Sequence, residues 1–299
     1  MSTEPRPVIT VETTVVVPVQ RAWLLWTDPR HITKWNQASD DWHTPRAEND
    51  VREGGHFLIR MEAKDGSMGF DFEGVYEVVV RNERVEYRIG DGRKVAVRFI
   101  ANGEATTVTE TFEAESTHPV EMQRDGWQSI LESYRKYAAS RPRLTIPQVV
   151  ETKSELAAVV HVVTPRDQIK EAMRPAVDEV IAAVMGQGIG PVGPMFSRHF
   201  EMKPDVFDFE VGFPVSAPVA PVGRVQSGEL PAAKVVRAIY QGPYESLGEA
   251  WGEFLELVAS AGHVKTTGLW ERYLTNPMET PNPEDHQTEL NQPIVQTAP

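Results

Sequence analysis

Among the side chains able to do chemistry, one glutamate is set apart by its surroundings. Glu271 sits in Thr-Gly-Leu-Trp-Glu-Arg-Tyr-Leu (267–274), and an earlier stretch, Gly-Pro-Met-Phe-Ser-Arg-His-Phe (193–200), repeats that pattern with Ser197 in place of the acid. A duplicated scaffold becomes asymmetric where it reacts or binds something, so the exchange of hydroxyl for carboxylate marks the first place to look. In a strand, alternation puts Glu271 and Tyr273 on one face and Trp270 with Arg272 on the other. A partly desolvated carboxylate beside aromatic rings attracts an organic cation by charge and by cation–π contact. The plain alternative is a solvent-facing acid paired with Arg272 or Arg237.

The rest of the composition narrows the chemistry. The 299 residues contain no cysteine, which removes disulfides, thiol nucleophiles and thiolate metal sites. The eight histidines are scattered without the helical spacing of a metal site, so no metal and no cofactor is expected. Net charge is −13, and residues 151–299 hold 20 acidic against 11 basic side chains. That balance repels phosphate backbones, so no nucleic-acid partner is expected, while a cationic small molecule would be favoured. No apolar run approaches the roughly 18 residues that span a bilayer, and the leading residues lack a signal-peptide pattern, so the expectation is a soluble, cytoplasmic protein without a membrane partner.

These residues need elements to hold them. In the N-terminal half a β-branched run from Ile9 to Val17 reads as a strand, followed by two short helices around Val19–Trp26 and His31–Trp35. Regular turn signals at Asp65-Gly66, Arg81–Glu83, Asp91-Gly92 and Asn102-Gly103 then divide Phe57–Met61, Phe70–Val80, Val85–Ile89, Val95–Ile100 and Thr106–Phe112 into an antiparallel meander. An amphipathic helix over 120–137 closes the half.

This order, with Arg52-Glu-Gly-Gly-His-Phe57, Gly74-Val-Tyr-Glu-Val78 and Gly126-Trp-Gln-Ser-Ile-Leu131, resembles the START-like helix-grip superfamily (SRPBCC), in the branch of homologues of the activator of the Hsp ATPase. The resemblance implies a sheet curled around the last helix and a cavity for an apolar ligand. Its lining would come from Trp35, Phe57, Met61, Phe72, Tyr76, Trp127 and Tyr134. Aromatic residues on inward faces also serve simply as core.

The C-terminal half reads as two βαββ units. Leu156–Val163, a helix stripe from Ile169 to Val184, and strands around 195–202 and 207–215 are followed by the same order in Lys234–Tyr240, a stripe from Leu247 to Val258, 270–275 and 288–294. Pairing of their edge strands would give one sheet with both helices on a single face, leaving the opposite face available. The residues 219–231 read as a short edge strand. Phe207–Val215, Gly228-Glu-Leu-Pro231, Tyr240-Gln-Gly-Pro-Tyr244, Trp251, Trp270–Leu274 and Thr288-Glu-Leu290 make this half similar to the GyrI-like effector-binding family. The resemblance implies a groove between the pseudo-symmetric halves that takes aromatic, amphipathic and often cationic molecules. Glu271, Tyr273, Phe196, Tyr240, Trp270 and Glu289 are its candidate lining, with Glu271 the acid.

The expected fold class is therefore α+β: a START-like domain over 1–140, a proline-containing linker over 141–155, and a GyrI-like domain over 156–299. The leading functional expectation is a small-molecule-binding protein, non-enzymatic, for xenobiotic sequestration or sensing. Two alternatives stand beside it. One is a detoxifying hydrolase using Glu271 and Glu289 as general base and orienting partner, the other a protein-interaction module of the gyrase-inhibitor or chaperone-activator kind.

Overall fold

The computed structural model describes residues 6–295; the expectations that touch 1–5 and 296–299 lie outside them. The chain divides between Arg141 and Pro142 into two compact units.

The first unit is a seven-stranded antiparallel sheet in the order β1-β7-β6-β5-β4-β3-β2, made of β1 (Val8–Val15), β2 (Trp42–Asn49), β3 (His56–Ala63), β4 (Gly69–Val80), β5 (Arg84–Ile89), β6 (Lys94–Asn102) and β7 (Ala105–Glu113). The helices α1 (Val19–Thr27) and α2 (Pro29–Trp35) connect β1 to β2, and α3 (Val120–Ala139) follows β7. Pro29 at the first turn and the Asp28 side chain capping the Arg30 amide start α2. Strict alternation along β1 and β7 turns Ile9, Val11, Val108 and Phe112 inward, where they pack with Leu131 and Tyr134 of α3 and with Trp23, Trp26 and Trp35 of the short helices. The meander lies where its turn residues put it. β2 is the strand without a period-two signal: it contains Pro45, carries a register irregularity between His43 and Arg46, and lies at the sheet edge, where a proline removes no ladder bond.

The second unit is a nine-stranded sheet. Its strands are β8 (Arg143–Leu144), β9 (Gln148–Glu151), β10 (Glu155–Pro165), β11 (Phe196–Met202), β12 (Val206–Pro214), β13 (Gln226–Leu230), β14 (Lys234–Gln241), β15 (Leu269–Tyr273) and β16 (Gln287–Pro293). The order is β13-β10-β12-β11-β15-β16-β14-β8, with β9 also on β14. The two repeats are β10-α4-β11-β12 and β14-α5-β15-β16, where α4 spans Ile169–Gly186 and α5 Leu247–Ser260. They meet at their β11 and β15 edges, antiparallel, with Ser197 directly opposite Glu271. The stretch read from its prolines as a linker contributes β8 and β9, which pair with β14.

Alternation decides what each face of this sheet holds. Ala158, Val160, Phe209 and Val211 pack with Ala176, Val180 and Val184 of α4. The register carries that face across β11 and β15 to Ser197, His199, Glu271 and Tyr273. The helix-free face is not an open platform: Ala157, Val159, Phe196, Val235 and Trp270 form a second buried cluster there with Leu230. The expectation that this face is left available is therefore corrected, because the sheet buries apolar residues on both sides.

Candidate functional site

Glu271 is 6% exposed, in the middle of a five-residue strand, on the side of the sheet that the helices cover. Three donors converge on it. Its Oε1 accepts from Trp251 Nε1 at 2.5 Å, and its Oε2 accepts from the Tyr273 hydroxyl at 2.6 Å and the Ser197 hydroxyl at 3.1 Å. Each donor arrives for a local reason. Tyr273 is two residues along the same strand, Ser197 is the cross-strand partner, and Trp251 lies on the buried stripe of α5 with Ala250, Phe254 and Leu257.

The surrounding side chains complete an aromatic, polar nest. His199 Nε2 lies 3.3 Å from Ser197 Oγ, and its ring stacks on Phe209 at 5.1 Å between centroids. Burial pulls the His199 pKa down against the pull of Glu271, so the imidazole stays neutral, and its Nδ1 is buried without a hydrogen-bond partner. Tyr244 meets Tyr273 edge-on at 5.6 Å and stacks on His286 at 4.8 Å. Burial, with Glu271 adding to it, pushes the Tyr273 phenol well above its usual range. Gly242 allows the tight turn before Tyr244: its φ is +148°, and a Cβ there would come within 2.4 Å of the Tyr240 hydroxyl.

The expected lining divides. Glu271 and Tyr273 are together, and Tyr240 is on the same face but spends its hydroxyl on the Pro243 carbonyl at 3.0 Å. Phe196 and Trp270 point to the opposite face and are core. Glu289 is the direct neighbour of Arg272, so it too lies on the opposite face, where Arg237 pairs with it at 3.3 Å and Asn291 donates to it at 3.1 Å. Arg272 is held by Glu155 at 2.7 Å. The pairing of Glu271 with Glu289 on which the hydrolase alternative rested is thus absent: residues of opposite strand parity cannot share a proton across a sheet. Ser197, His199, Trp251 and Tyr244 were not among the candidate lining. Ser197 is the asymmetric position itself, and His199 could have been found from alternation, since it lies two residues beyond Ser197 on the same face of the strand.

The first unit holds a cavity of about 420 Å³. Trp35, Phe57, Met61, Phe72, Tyr76 and Trp127 line it together with Glu110 and Tyr87. Tyr134 does not: it is fully buried between Trp26 and Trp35, and its hydroxyl donates to the Ala22 carbonyl at 2.8 Å. No helix among the described residues is long and apolar enough to cross a membrane, and no cluster of potential metal-binding side chains occurs among them.

Comparison with known proteins agrees with this architecture. The family model described as activator of Hsp90 ATPase homolog 1-like protein matches residues 16–139, and that of the GyrI-like small molecule binding domain matches 147–295. Among solved structures, an AHSA1-like protein from Aeromonas hydrophila is 40% identical, covering 45% of this chain and 93% of its own, with a TM-score of 0.43. A protein from Cytophaga hutchinsonii is 51% identical over 43% of this chain and 90% of its own, with a TM-score of 0.40. No curated protein matches. By the sequence identity of its first unit the chain belongs to the AHSA1-like family, and it joins that helix-grip unit to a GyrI-like small-molecule-binding domain.

Proposed function

We propose that the GyrI-like unit binds aromatic organic cations and that Glu271 is their counter-charge. The observation that carries this reading is the hydrogen bonding of the buried carboxylate. Indole, phenol and hydroxyl are all neutral donors, His199 is held neutral, and no lysine or arginine pairs with Glu271 among the described residues. Dipoles stabilise such a charge without cancelling it, so a cation that reaches it gains Coulombic attraction in a low-dielectric site. The rings of Trp251 and Tyr273 supply cation–π surface beside the same carboxylate, with Tyr244 packed against Tyr273. Entry exchanges one of the three donor contacts for the ligand, and the phenol or indole released turns its face to the bound ring.

The test uses two probes of equal shape and opposite charge, tetraphenylphosphonium and tetraphenylborate, titrated calorimetrically into the wild type and Glu271→Gln. The wild type should select the cation, and the variant should lose about 30-fold in cation affinity, corresponding to about 2 kcal/mol. Equal cation affinity of the two proteins would refute the role of Glu271.

A further inference from the structure

The helix-covered face of the second sheet holds acceptors to which the fold brings no donor. α4 packs on β10 and β12 and α5 on β14, so the seam between β11 and β15, with Ser197, His199, Glu271 and Tyr273 on it, lies between the two helices. Proton positions along that seam follow from the partners. The Ser197 hydroxyl has one hydrogen, and a carboxylate only accepts, so that hydrogen goes to Glu271 Oε2 at 3.1 Å. The Ser197 oxygen is then an acceptor toward His199, whose Nε2 at 3.3 Å carries the ring proton. Because the imidazole is neutral, its Nδ1 is a bare lone pair.

His199 is 5% exposed, and Nδ1 has no hydrogen-bond partner among the described residues. Stacking on Phe209 at 5.1 Å and the edge contact with Phe207 at 5.4 Å hold the ring plane, so rotation does not relieve it. Arg166, whose charge His199 feels, lies over the Phe207 ring at 4.3 Å and donates to the Lys203 carbonyl at 3.1 Å. A buried acceptor of this kind costs stability unless a donor is brought to it. A second imidazole near Tyr273 repeats the deficit. His286 Nε2 donates to the Thr280 carbonyl at 2.9 Å, which leaves Nδ1 as the lone pair of the neutral ring, buried and without a partner among the described residues. That ring stacks on Tyr244, which meets Tyr273 edge-on. The surroundings of Glu271 are therefore short of donors and rich in acceptors.

We propose that His199 is a specificity-determining residue of the Glu271 site: the carboxylate answers the charge of the bound cation, and His199 Nδ1 accepts one of its N–H groups. The ligand class narrows to planar aromatic cations that carry amino or amidinium nitrogens, and N-alkylated cations of the same ring and charge bind less tightly. The inference rests on the reading of Glu271 as the counter-charge. One hydroxyl and one imidazole separate the two receiving atoms, a span that a fused-ring ligand with a peripheral amino group bridges.

Thionin and methylene blue serve as probes on the full chain. Both are permanently charged phenothiazinium rings; thionin carries two amino groups, which methylene blue has fully methylated, so it retains no N–H. Wild type should prefer thionin by about tenfold, the worth of one hydrogen bond to a buried acceptor. His199→Leu should abolish that preference, weakening thionin about tenfold and methylene blue by less than about twofold. In wild type with isotope-labelled histidine, the His199 Nδ1 resonance should move upfield on adding thionin, as a lone pair does on accepting a hydrogen bond, and much less on adding methylene blue. Glu271→Gln should weaken both dyes alike; if it weakens neither, the counter-charge reading fails and this proposal with it. If His199→Leu keeps the wild-type preference for thionin, or the Nδ1 resonance responds equally to both dyes, the role of His199 is overturned while that of Glu271 stands. Should His199→Leu not fold, the resonance in wild type decides.

Discussion

Replacing Glu110 by glutamine should make the helix-grip unit more stable, by an amount that depends on pH. In the unfolded chain this glutamate ionises near its ordinary value of 4.5, whereas in the fold burial holds the proton to about 8. Between those values the unfolded state binds fewer protons than the folded one, so wild-type stability falls as pH rises. The slope is about 1.4 kcal/mol per pH unit, and the loss reaches roughly 5 kcal/mol before it levels off above pH 8. Below pH 4.5 the acid is protonated in both states and contributes nothing. Glutamine has no proton to lose, and its side-chain carbonyl can accept the Tyr87 hydroxyl as the acid does. The variant and the wild type should therefore unfold at similar urea concentrations near pH 4.5 and diverge steadily up to pH 8, with the variant the more stable. Tryptophan fluorescence follows this unit well, because Trp23, Trp26, Trp35, Trp42 and Trp127 all belong to it. Parallel stability of the two proteins from pH 5 to pH 8 would show that Glu110 is ionised in the fold, and the reasoning would fail.

Three further outcomes can be checked by the same unfolding measurements. Trp251→Phe removes one of the three donors to a buried carboxylate and should lower the stability of the GyrI-like unit by about 1.5–3 kcal/mol; in a double-mutant cycle with Glu271→Gln, a coupling below about 0.5 kcal/mol would contradict the bond. Gly126→Ala fills open space on a helix interior and should stabilise by about 0.5–1 kcal/mol, and a loss of stability would place an unseen neighbour at that site. Gly212→Ala brings a Cβ to 2.2 Å from the Ala158 carbonyl in the middle of the β10–β12 ladder, so it should destabilise by about 2 kcal/mol or more, and a thermal melt equal to wild type would refute the contact.

Much of this protein is written in local pattern. Turn pairs such as Asp65-Gly66 and Asp91-Gly92 require backbone conformations that few residues adopt, so they divide the meander without any tertiary information. The repeat of Ser197 and Glu271, and the strand alternation that puts Glu271 beside Tyr273, are likewise sequence properties. β2 was illegible because an edge strand needs neither an apolar period nor every backbone donor, and Pro45 occupies it without penalty.

The site itself belongs to the tertiary structure. Alternation says that Glu271 and Trp270 face opposite ways, but not which way the helices lie, since that depends on the packing of α4 and α5 against apolar residues from distant strands. Only that packing makes Trp251 a donor to Glu271, makes Phe196 and Trp270 core, and sends Glu289 to Arg237 on the far side. Glu110 follows the same rule. The sequence places it in line with Val108 and Phe112, while the burial of its carboxyl in the folded sheet, between Val11 and Val97, decides that it keeps its proton.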